Sequence, residues 1–356
     1  VRAQRVTASV FVSGEFVAAV ANVAVVVVGV LLGVDGDITP GTLVAFLFLV
    51  TLFVAPVQTA SEVLNEAQNA VAGFRRVLDV LETEPDVRDP AVADPGSARE
   101  LPHTPLGVRF EHVTFRYAPG ARPALRDVDL EIAPRRRAAI VGETGSGKTT
   151  FAKLVTRLMD PTEGRVLLAG IPLEQVAFAS LRQRVVMVPQ DGFLFDATVA
   201  DNVRYGRPGL TDDDVRTALE ELGLGDWVAG LAEGVATRVG QRGESLSAGE
   251  RQLVAVARAY VADPDLLVLD EATSAVDPAT ERRLTHALDR LTDGRTTLTI
   301  AHRLSTAERA DEVLVVDAGR VVQRGSHAEL VDAEGPYARL HASWRRSSAG
   351  EPQPAA

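Results

Sequence analysis

The stretch "GETGSGKTT", Gly142 to Thr150, follows the apolar run "RAAIV" and leads into the helical pattern "FAKLVTRLM". It fits the spacing G-x-x-x-x-G-K-[ST] between a strand and a helix. Glycines let the backbone turn so that successive N–H groups face a polyphosphate, and the N-terminal end of the next helix adds positive potential. The stretch therefore predicts a phosphate loop that binds a nucleotide.

The lysine in this loop is unusual for the chain, because the other bases are arginine except for Lys153. A chance match to the motif is the alternative, and the scarcity of lysine argues against it. We expect Lys148 to reach the β- and γ-phosphates as a compact charge, and Thr149 to offer its hydroxyl to Mg²⁺. The predicted nucleotide contacts in the loop are Gly142, Glu143, Thr144, Gly145, Ser146, Gly147, Lys148, Thr149 and Thr150.

Length and composition narrow the choice of function. A chain of 356 residues is too long for one ordinary core, so two or more units are expected. The net charge of −11 argues against wholesale nucleic-acid binding, which needs basic surface. The chain contains no cysteine, which excludes disulfides and thiolate chemistry. Scarce lysine beside abundant arginine and alanine hints at a GC-rich bacterial genome.

Two long apolar stretches set residues 1–82 apart: Phe16 to Val34, and Ile38 to Val57. A helix needs about 20 residues to cross the ~30 Å apolar core of a bilayer, so transmembrane helices are predicted at about 10–34 and 38–57. Two helices buried in a soluble core are the alternative, which the lack of a polar face opposes. Arginines precede the first stretch and follow the second, and the only charged residues in the short connection between them are acids. This distribution predicts that both ends are cytoplasmic and that the connecting loop is external.

The second apolar stretch is predicted to kink at Pro56 and then to continue into the cytoplasm, because apolar residues keep helical spacing as far as Leu81. Residues 83–105 are rich in Pro, Asp and Ala without periodicity, which predicts a linker. Residues 343–356 are predicted to be a disordered tail.

From Leu106 onward the pattern is that of an α/β domain, predicted over residues 106–342. The alternating "VRFEHVTFRY" predicts an edge strand, and "DVDLEI" predicts another strand. The short apolar runs "RAAIV", "VVMV", "LLVLD" and "TLTIAH" are separated by helical segments, which is typical of a buried, mostly parallel sheet.

Two adjacent acids in "DLLVLDEATSAVD" supply the chemistry that a phosphate loop lacks. Asp270 comes at the carboxyl end of a predicted strand, where it is suited to hold Mg²⁺ through water. Glu271 follows and is predicted to orient or deprotonate the attacking water. A solvated turn is the structural alternative.

A predicted helix begins in "LSAGE", with Ser247 as N-cap and Glu250 completing a capping box. The tip of such a helix also attracts anions. The segment resembles the signature loop of the ATP-binding cassette (ABC) family, usually written LSGGQ, with Ala248 in place of Gly and Glu250 in place of Gln. The resemblance implies that Ser247 and Gly249 approach a γ-phosphate, and the charge of Glu250 raises the question of turnover rate.

Three further segments resemble motifs of the same family in the same order. Gln190, in "VVMVPQDGFLF", resembles the Q-loop glutamine that senses Mg²⁺ and the attacking water. His302, in "TLTIAHRLST", resembles the switch histidine at the γ-phosphate, and Tyr117, in "FRYAPG", resembles the aromatic residue that stacks on adenine. Each has a purely structural alternative, such as surface packing for a tyrosine on a strand. The resemblance therefore implies that Glu271, His302 and Lys148 are catalytic and that Thr149, Gln190 and Asp270 hold the metal.

The resemblance implies an α/β P-loop NTPase cassette, with a mostly parallel sheet, an antiparallel β-subdomain and a helical subdomain, preceded by two transmembrane helices. It covers nearly the whole chain and is typical of an exporter half-transporter, of which residues 1–82 resemble the last two of six membrane helices. We therefore expect an N-terminally truncated fragment. The residues that choose the exported cargo are expected in the missing helices.

The implied activity is hydrolysis of ATP to ADP and phosphate, with ATP and Mg²⁺ bound between two cassettes of a homodimer or heterodimer. The protein is expected in the cell membrane as a multi-pass protein in contact with lipid, with its nucleotide-binding domain in the cytoplasm and no nucleic acid bound. A soluble cassette ATPase without a role in transport is the main alternative. A small-molecule kinase of the phosphate-loop class is less compatible with the signature segment and Glu271.

Overall fold

The computed structural model describes residues 19–20, 23–34, 38–270, 277–301 and 303–348. It divides the chain into two units, Val1–Glu84 and Pro85–Ala356. The two units are described separately below. The predicted catalytic residues Glu271 and His302 lie outside the described residues.

The first unit is helical. Residues 23–34 form a helix, and α1 (Pro40–Glu82) is a second helix of 43 residues. Thr39 caps α1 by accepting a hydrogen bond from the N–H of Thr42 at 3.2 Å, and Pro40 supplies the fixed φ suited to the first turn. The two helices approach closely at Gly29, where a Cβ atom would come within 2.2 Å of Leu43 Cδ1.

The helix α1 continues through Pro56, the predicted kink, without a break in its assignment. Large apolar side chains along α1, such as Phe53 and Leu64, are exposed in this chain. Within the described part of the chain, no helix combines the length and the apolar character that crossing a membrane requires. The predicted span at about 38–57 lies in α1, and the one at about 10–34 falls partly outside the described residues.

The second unit contains two sheets, of which the smaller is antiparallel with the strand order β2-β1-β4-β5. The prediction of an edge position for the segment that contains β1 is wrong, because β1 pairs with both β2 and β4. Its alternation arises from burial of one face rather than from an open edge. The strands are β1 (Val108–Phe115), β2 (Leu125–Ile132), β4 (Glu163–Leu168) and β5 (Ile171–Pro172).

The larger sheet has the order β10-β9-β3-β8-β7-β6. All neighbours from β9 to β6 are parallel, and only β10 runs antiparallel, so the predicted mostly parallel sheet is confirmed. The four predicted apolar runs form β3, β6, β7 and β8; three of these strands lie inside the sheet, whereas β6 is an edge strand. The strands are β3 (Arg137–Val141), β6 (Val185–Val188), β7 (Leu266–Asp270), β8 (Thr296–Ile300), β9 (Glu312–Asp317) and β10 (Arg320–Gly325).

Helices cover both faces of the larger sheet. One core lies between the two sheets and α3, where the rings of Phe110 and Phe151 are 5.2 Å apart. A second core is formed mainly by α5 to α9 together with β6 and β7. The helices are α2 (Pro90–Ala93), α3 (Lys148–Val155), α4 (Phe178–Arg184), α5 (Val199–Arg204), α6 (Asp212–Glu221), α7 (Gly225–Ala229), α8 (Ala248–Val261), α9 (Pro278–Thr292), α10 (Leu304–Glu308), α11 (His327–Asp332) and α12 (Pro336–Ser348), with short 3₁₀ turns at Leu173–Gln175, Gly234–Ala236 and Gln241–Gly243.

A third core brings the C-terminal helices onto β3 and β9 around Tyr337, which is fully buried. Burial, followed by the negative charge of Glu308, raises the pKa of Tyr337 to about 12, so this side chain is a neutral phenol at physiological pH. The predicted disordered tail at 343–356 begins within α12, which continues to Ser348 because its inner face packs on this core.

Most residues predicted as a linker, from Pro85 onward, belong to the second unit and are hydrogen-bonded within it. The backbone N–H of Arg99 donates to the carbonyl of Gln175 at 2.7 Å, and the N–H of Ala177 donates to the carbonyl of Arg99 at 2.9 Å. Arg184, at the end of α4, donates to the carbonyls of Pro102 and Thr104 at 2.6 and 3.0 Å, and it also pairs with Asp265. One largely buried guanidinium thus joins the segment before β1 to α4 and β7.

We expect Arg184→Ala to lower the free energy of unfolding of the second unit by about 2 kcal/mol, because it leaves the carboxylate of Asp265 and two carbonyls without a charged donor. Urea titration followed by tryptophan fluorescence measures this, since Trp227 and Trp344 both lie in the second unit. The control is Arg216→Ala, which removes an exposed pair with Asp213 and should change stability by less than about 0.5 kcal/mol. Equal losses in the two variants would contradict the assignment.

Candidate nucleotide-binding site

The phosphate loop connects β3 to α3 and depends on glycine for its shape. Gly142, Gly145 and Gly147 have φ values of 155, 83 and 112°, which favour glycine over other residues. A Cβ atom on Gly142 would lie 2.1 Å from the carbonyl oxygen of Val316, and one on Gly147 would lie 2.5 Å from that of Ala124. The loop is therefore closed against neighbouring backbone, where side chains have no room.

The side chain of Lys148 is enclosed by this loop. The residue is 5% exposed, and Nζ donates to the carbonyls of Gly142 and Glu143 at 2.7 and 2.8 Å. Ser146 Oγ is buried without a hydrogen-bond partner, although the Ser146 carbonyl accepts from the N–H of Gly319 at 2.9 Å. A buried ammonium and an unpaired buried hydroxyl inside one glycine-rich turn match the needs of a polyphosphate.

The first turn of α3 extends this anion site. Gly147 is its N-cap and provides no side-chain cap, so the first N–H groups of α3 have no side-chain acceptor at that position. Such groups and the helix dipole favour a negative group at this end. Thr149 is exposed, whereas Thr150 is buried. A hydroxyl that is exposed at the start of this helix fits the predicted contact to Mg²⁺.

Tyr117 lies beside the first turn of α3. Its hydroxyl is 3.1 Å from Thr150 Oγ1, and its ring meets that of Phe115 edge-on with centroids 4.9 Å apart. The residue is 54% exposed, and Lys153 Nζ lies 5.6 Å from its ring centroid. A ring that is held at its hydroxyl and is about half exposed can receive a nucleobase.

The parallel strands place other predicted residues at the same edge of the sheet as the loop. Asp270 is the last residue of β7 and pairs with Ile300 of β8, while Gln190 follows β6 by two residues. Since the carboxyl ends of β3, β8, β7 and β6 meet at one edge, Asp270 and Gln190 lie at the same edge of the sheet as the phosphate loop, two and three strands away from β3. Glu271 and His302 follow Asp270 and Ala301 in the chain, outside the described residues.

The signature segment opens α8 with the predicted capping box. The N–H of Glu250 donates to Ser247 Oγ at 3.3 Å, and the N–H of Ser247 donates to Glu250 Oε2 at 2.8 Å. Among the described residues, α8 packs mainly against α5, α6, α9 and β6. Ser247 is exposed at the helix tip, whereas Gly249 is buried.

The remaining oxygen of Glu250 has a partner that sequence reasoning missed. Trp227 Nε1 donates to Glu250 Oε1 at 3.0 Å across 23 residues of sequence. Burial alone would raise the pKa of Glu250, but the hydrogen bonds from Ser247 and Trp227 outweigh it and hold the pKa below its ordinary value. Two N–H donors converge on this side chain, so glutamate satisfies both, whereas glutamine has only one acceptor oxygen.

A second missed contact ties α8 to the segment after β6. Gln252 Nε2 donates to the carbonyl of Pro189 at 3.2 Å, next to Gln190. Farther along α8, Arg258 donates to the carbonyls of Phe193 and Asn202 at 3.1 and 2.9 Å. A Cβ atom on Gly192 would lie 2.8 Å from the carbonyl oxygen of Arg251, which shows how closely the two segments approach. The signature helix and the predicted Q-loop are therefore one packed structure.

We expect Glu250→Gln to lower the free energy of unfolding by about 1–2 kcal/mol at neutral pH, because one buried donor loses its acceptor. The pKa of Glu250 is lower in the folded chain than its ordinary value of 4.5. Its contribution is therefore complete above that value and is lost as the pH falls through the lowered pKa. Urea titrations between about pH 3 and pH 7 should show this acid-dependent loss in the parent and a smaller one in the variant.

The matched control is Glu329→Gln, since Glu329 closes the capping box of α11 with Ser326 alone. Glutamine is compatible with that box, so this variant should lose less than about 0.5 kcal/mol. A loss at Glu329 as large as that at Glu250 would remove the special role given to Trp227.

Comparison with known proteins agrees with this geometry. The family model described as "ABC transporter" matches residues 125–274. The chain is 42% identical over 325 residues to the "Fatty acid ABC transporter ATP-binding/permease protein" of Mycobacterium bovis, which covers 91% of this chain and 50% of that protein. It is 38% identical over 330 residues to the "ATP-dependent lipid A-core flippase" of Ralstonia nicotianae, with coverage of 92% and 55%.

A solved structure shows the same arrangement. The bacterial Atm1-family ABC exporter with ATP bound is 36% identical, and the two superimpose with a TM-score of 0.73 over 89% of this chain and 54% of that one. The chain spans about half the length of the curated relatives that it matches. The fold, the phosphate loop and these similarities lead to one conclusion: the chain carries an ATP-binding domain of the ABC transporter kind, and over about nine tenths of its length it is similar to half of an ABC exporter.

Proposed function

We propose that this chain is the ATP-hydrolysing part of a membrane exporter, in which two cassettes pair and drive the transport of cargo. The observation that carries the proposal is the phosphate loop, where the Lys148 ammonium is enclosed by main-chain carbonyls at the edge of a parallel sheet. Exchange of those two carbonyls for phosphate oxygens would replace neutral acceptors by charged ones, which bind an ammonium more strongly.

The residues around the loop fit a magnesium nucleotide. Thr149, Gln190 and Asp270 are the residues that would hold Mg²⁺, which is consistent with the oxygen ligands that this ion prefers. Magnesium, when bound, supplies positive charge that offsets the charge of the phosphates. Tyr117 presents its exposed ring to the adenine. We assign to Glu271 the role of orienting or deprotonating the attacking water, and to His302 a contact with the γ-phosphate.

The partner is a second cassette, of the same or a related chain. Ser247 is exposed at the tip of α8, a helix that packs mainly against other helices of its own unit. An exposed helix tip can receive an anion, so we assign this one to the nucleotide of a partner. The hydrogen bonds from Ser247 and Trp227 spread the charge of Glu250 over two donors, which moderates its repulsion of a polyphosphate.

We assign the first unit to the membrane, with both of its ends and the cassette on the cytoplasmic side. The apolar stretches at 16–34 and 38–57, the exposed apolar side chains of α1 and the permease part in the relative's name support this placement. The names of the relatives mention fatty acids and lipid A-core, so we propose that the cargo is an amphiphile with acyl chains.

Lys148→Ala should reduce the affinity for ATP by about ten- to a hundredfold, since it removes charge-assisted hydrogen bonds to the phosphates. Equilibrium binding of a fluorescent ATP analogue to the purified chain in detergent measures this. Arg216→Ala removes an exposed cation of α6 and leaves the loop and the Tyr117 ring intact, so it should cost much less. ATP affinity that survives the loss of Lys148 would contradict the proposal.

Glu271→Gln should retain ATP and accumulate a paired form, because the nucleotide contacts remain while the residue at the attacking water is lost. The chain should stay in the membranes when they are washed with carbonate. Light scattering on the protein recovered from these membranes should show a doubled mass with Mg²⁺ and ATP, but not with ADP. Asp213→Asn, at an exposed acid of α6, serves as the control and should hydrolyse ATP at the parental rate. Fast hydrolysis by Glu271→Gln would refute the role given to Glu271. Release of the chain from the membranes would refute the placement of the first unit in the membrane.

A further inference from the structure

Three metal-ligating side chains meet in the C-terminal part of the second unit, and none of them is assigned to the nucleotide. Glu308 ends α10, His327 begins α11, and His341 lies within α12. One ligand atom of each lies within 4.8 Å of those of the other two. Three separate helices thus contribute one potential ligand each to a single point.

We propose that Glu308, His327 and His341 form a binding site for a divalent transition metal ion, with Zn²⁺ as the best match. Two imidazoles and one carboxylate are ligands that Zn²⁺ commonly takes, whereas Mg²⁺ and Ca²⁺ prefer oxygen ligands throughout. The site therefore differs in chemistry from the magnesium site assigned beside the phosphate loop. Three protein ligands leave a fourth position for water or another donor.

The spacing is close to that of a metal site. Ligand atoms at about 2.0–2.1 Å from a tetrahedral Zn²⁺ are about 3.4 Å apart. A move of about one ångström per side chain brings atoms within 4.8 Å of one another to that spacing. Glu308 is exposed and the two histidines are half-buried, so χ rotation of the carboxylate closes much of the gap without disturbing the core.

The orientation of His327 favours metal binding through one particular nitrogen. Its Nδ1 is 2.7 Å from the hydroxyl oxygen of Tyr337, which leaves Nε2 as the atom that faces other groups. Tyr337 is fully buried and neutral, so its oxygen can accept a hydrogen bond from Nδ1–H. A histidine that donates its other N–H to a fixed acceptor has the tautomer and the orientation that a metal requires.

The positive charge of Arg345 opposes the binding of a cation at this site, and its removal provides a test. Burial, His327 and the Arg345 guanidinium together lower the pKa of His341, while the Glu308 carboxylate acts in the opposite direction. Arg345 is exposed on α12 and is not itself a proposed ligand. Removal of its positive charge should therefore strengthen metal binding, in contrast to every ligand substitution.

A bound ion would join α10, α11 and α12, whose packing otherwise depends on the small core around Tyr337. Because α10 begins two residues after His302, the ion would also hold the helix that follows this predicted catalytic residue. We therefore expect metal to raise the thermal stability of the full chain in proportion to the logarithm of its concentration above the dissociation constant.

The test is a calorimetric titration of the full chain in detergent with ZnCl₂, after removal of metal by a chelator and desalting. We expect about one Zn²⁺ per chain and a higher Tm by tryptophan fluorescence, with Trp344 in α12 as a nearby reporter. Glu308→Gln and His341→Gln should each weaken binding by about tenfold or more, and Tyr337→Phe by about tenfold. Arg345→Gln should tighten it.

The matched control is His112→Gln. His112 is exposed between Asp127 and Asp129, at 3.0 and 3.7 Å, and is the kind of surface group that takes up zinc adventitiously. Binding that is unchanged in His112→Gln and weakened in Glu308→Gln supports the proposal. Since Glu308 is exposed, its variant should fold, which circular dichroism verifies. No stoichiometric binding, or binding lost with His112 and kept without His341, would overturn the proposal.

Discussion

The Lys148 ammonium, bonded to two carbonyl oxygens of its own loop, is the interaction on which the candidate site depends. The loop can enclose it only because Gly142 and Gly147 press against the backbone at Val316 and Ala124. These two contacts come from β9 and from the residue before β2, so both sheets shape the loop. The link from the Ser146 carbonyl to the Gly319 N–H adds a third anchor. The position of one charge thus depends on how two sheets meet.

The helix α8 connects several parts of the helical region, as the phosphate loop connects the two sheets. Its N-terminal turn holds the charge of Glu250 between two donors, and its next turn reaches the segment after β6 through Gln252. Any displacement of that segment must therefore move the tip of α8 or break these bonds. The signature segment and the predicted Q-loop are therefore expected to move together, although 63 residues separate Gln252 from Pro189 in the chain.

Features set by neighbours in sequence could be predicted, and features set by distant partners could not. The phosphate loop, the capping box at Ser247 and the parallel sheet follow from local spacing and strand pattern. The central position of β1 could not be predicted, because alternation reports a half-buried face and not the number of paired edges. The indole bonded to Glu250, the ordered end of α12 and the histidine cluster at its side all depend on tertiary packing. The functional roles of Gln190, Asp270, Glu271 and His302 are predictions, and the Glu271→Gln experiment addresses one of them.

The helix α1 is unbroken from Pro40 to Glu82. At 1.5 Å per residue its 43 residues extend for about 65 Å, roughly twice the thickness of the apolar layer of a bilayer. A rod of that length converts a small change of tilt into a large sideways excursion, since a rotation of about 5° about one end displaces the other by about 6 Å. In the membrane placement proposed for this unit, α1 would act as a lever whose two arms lie in different solvents.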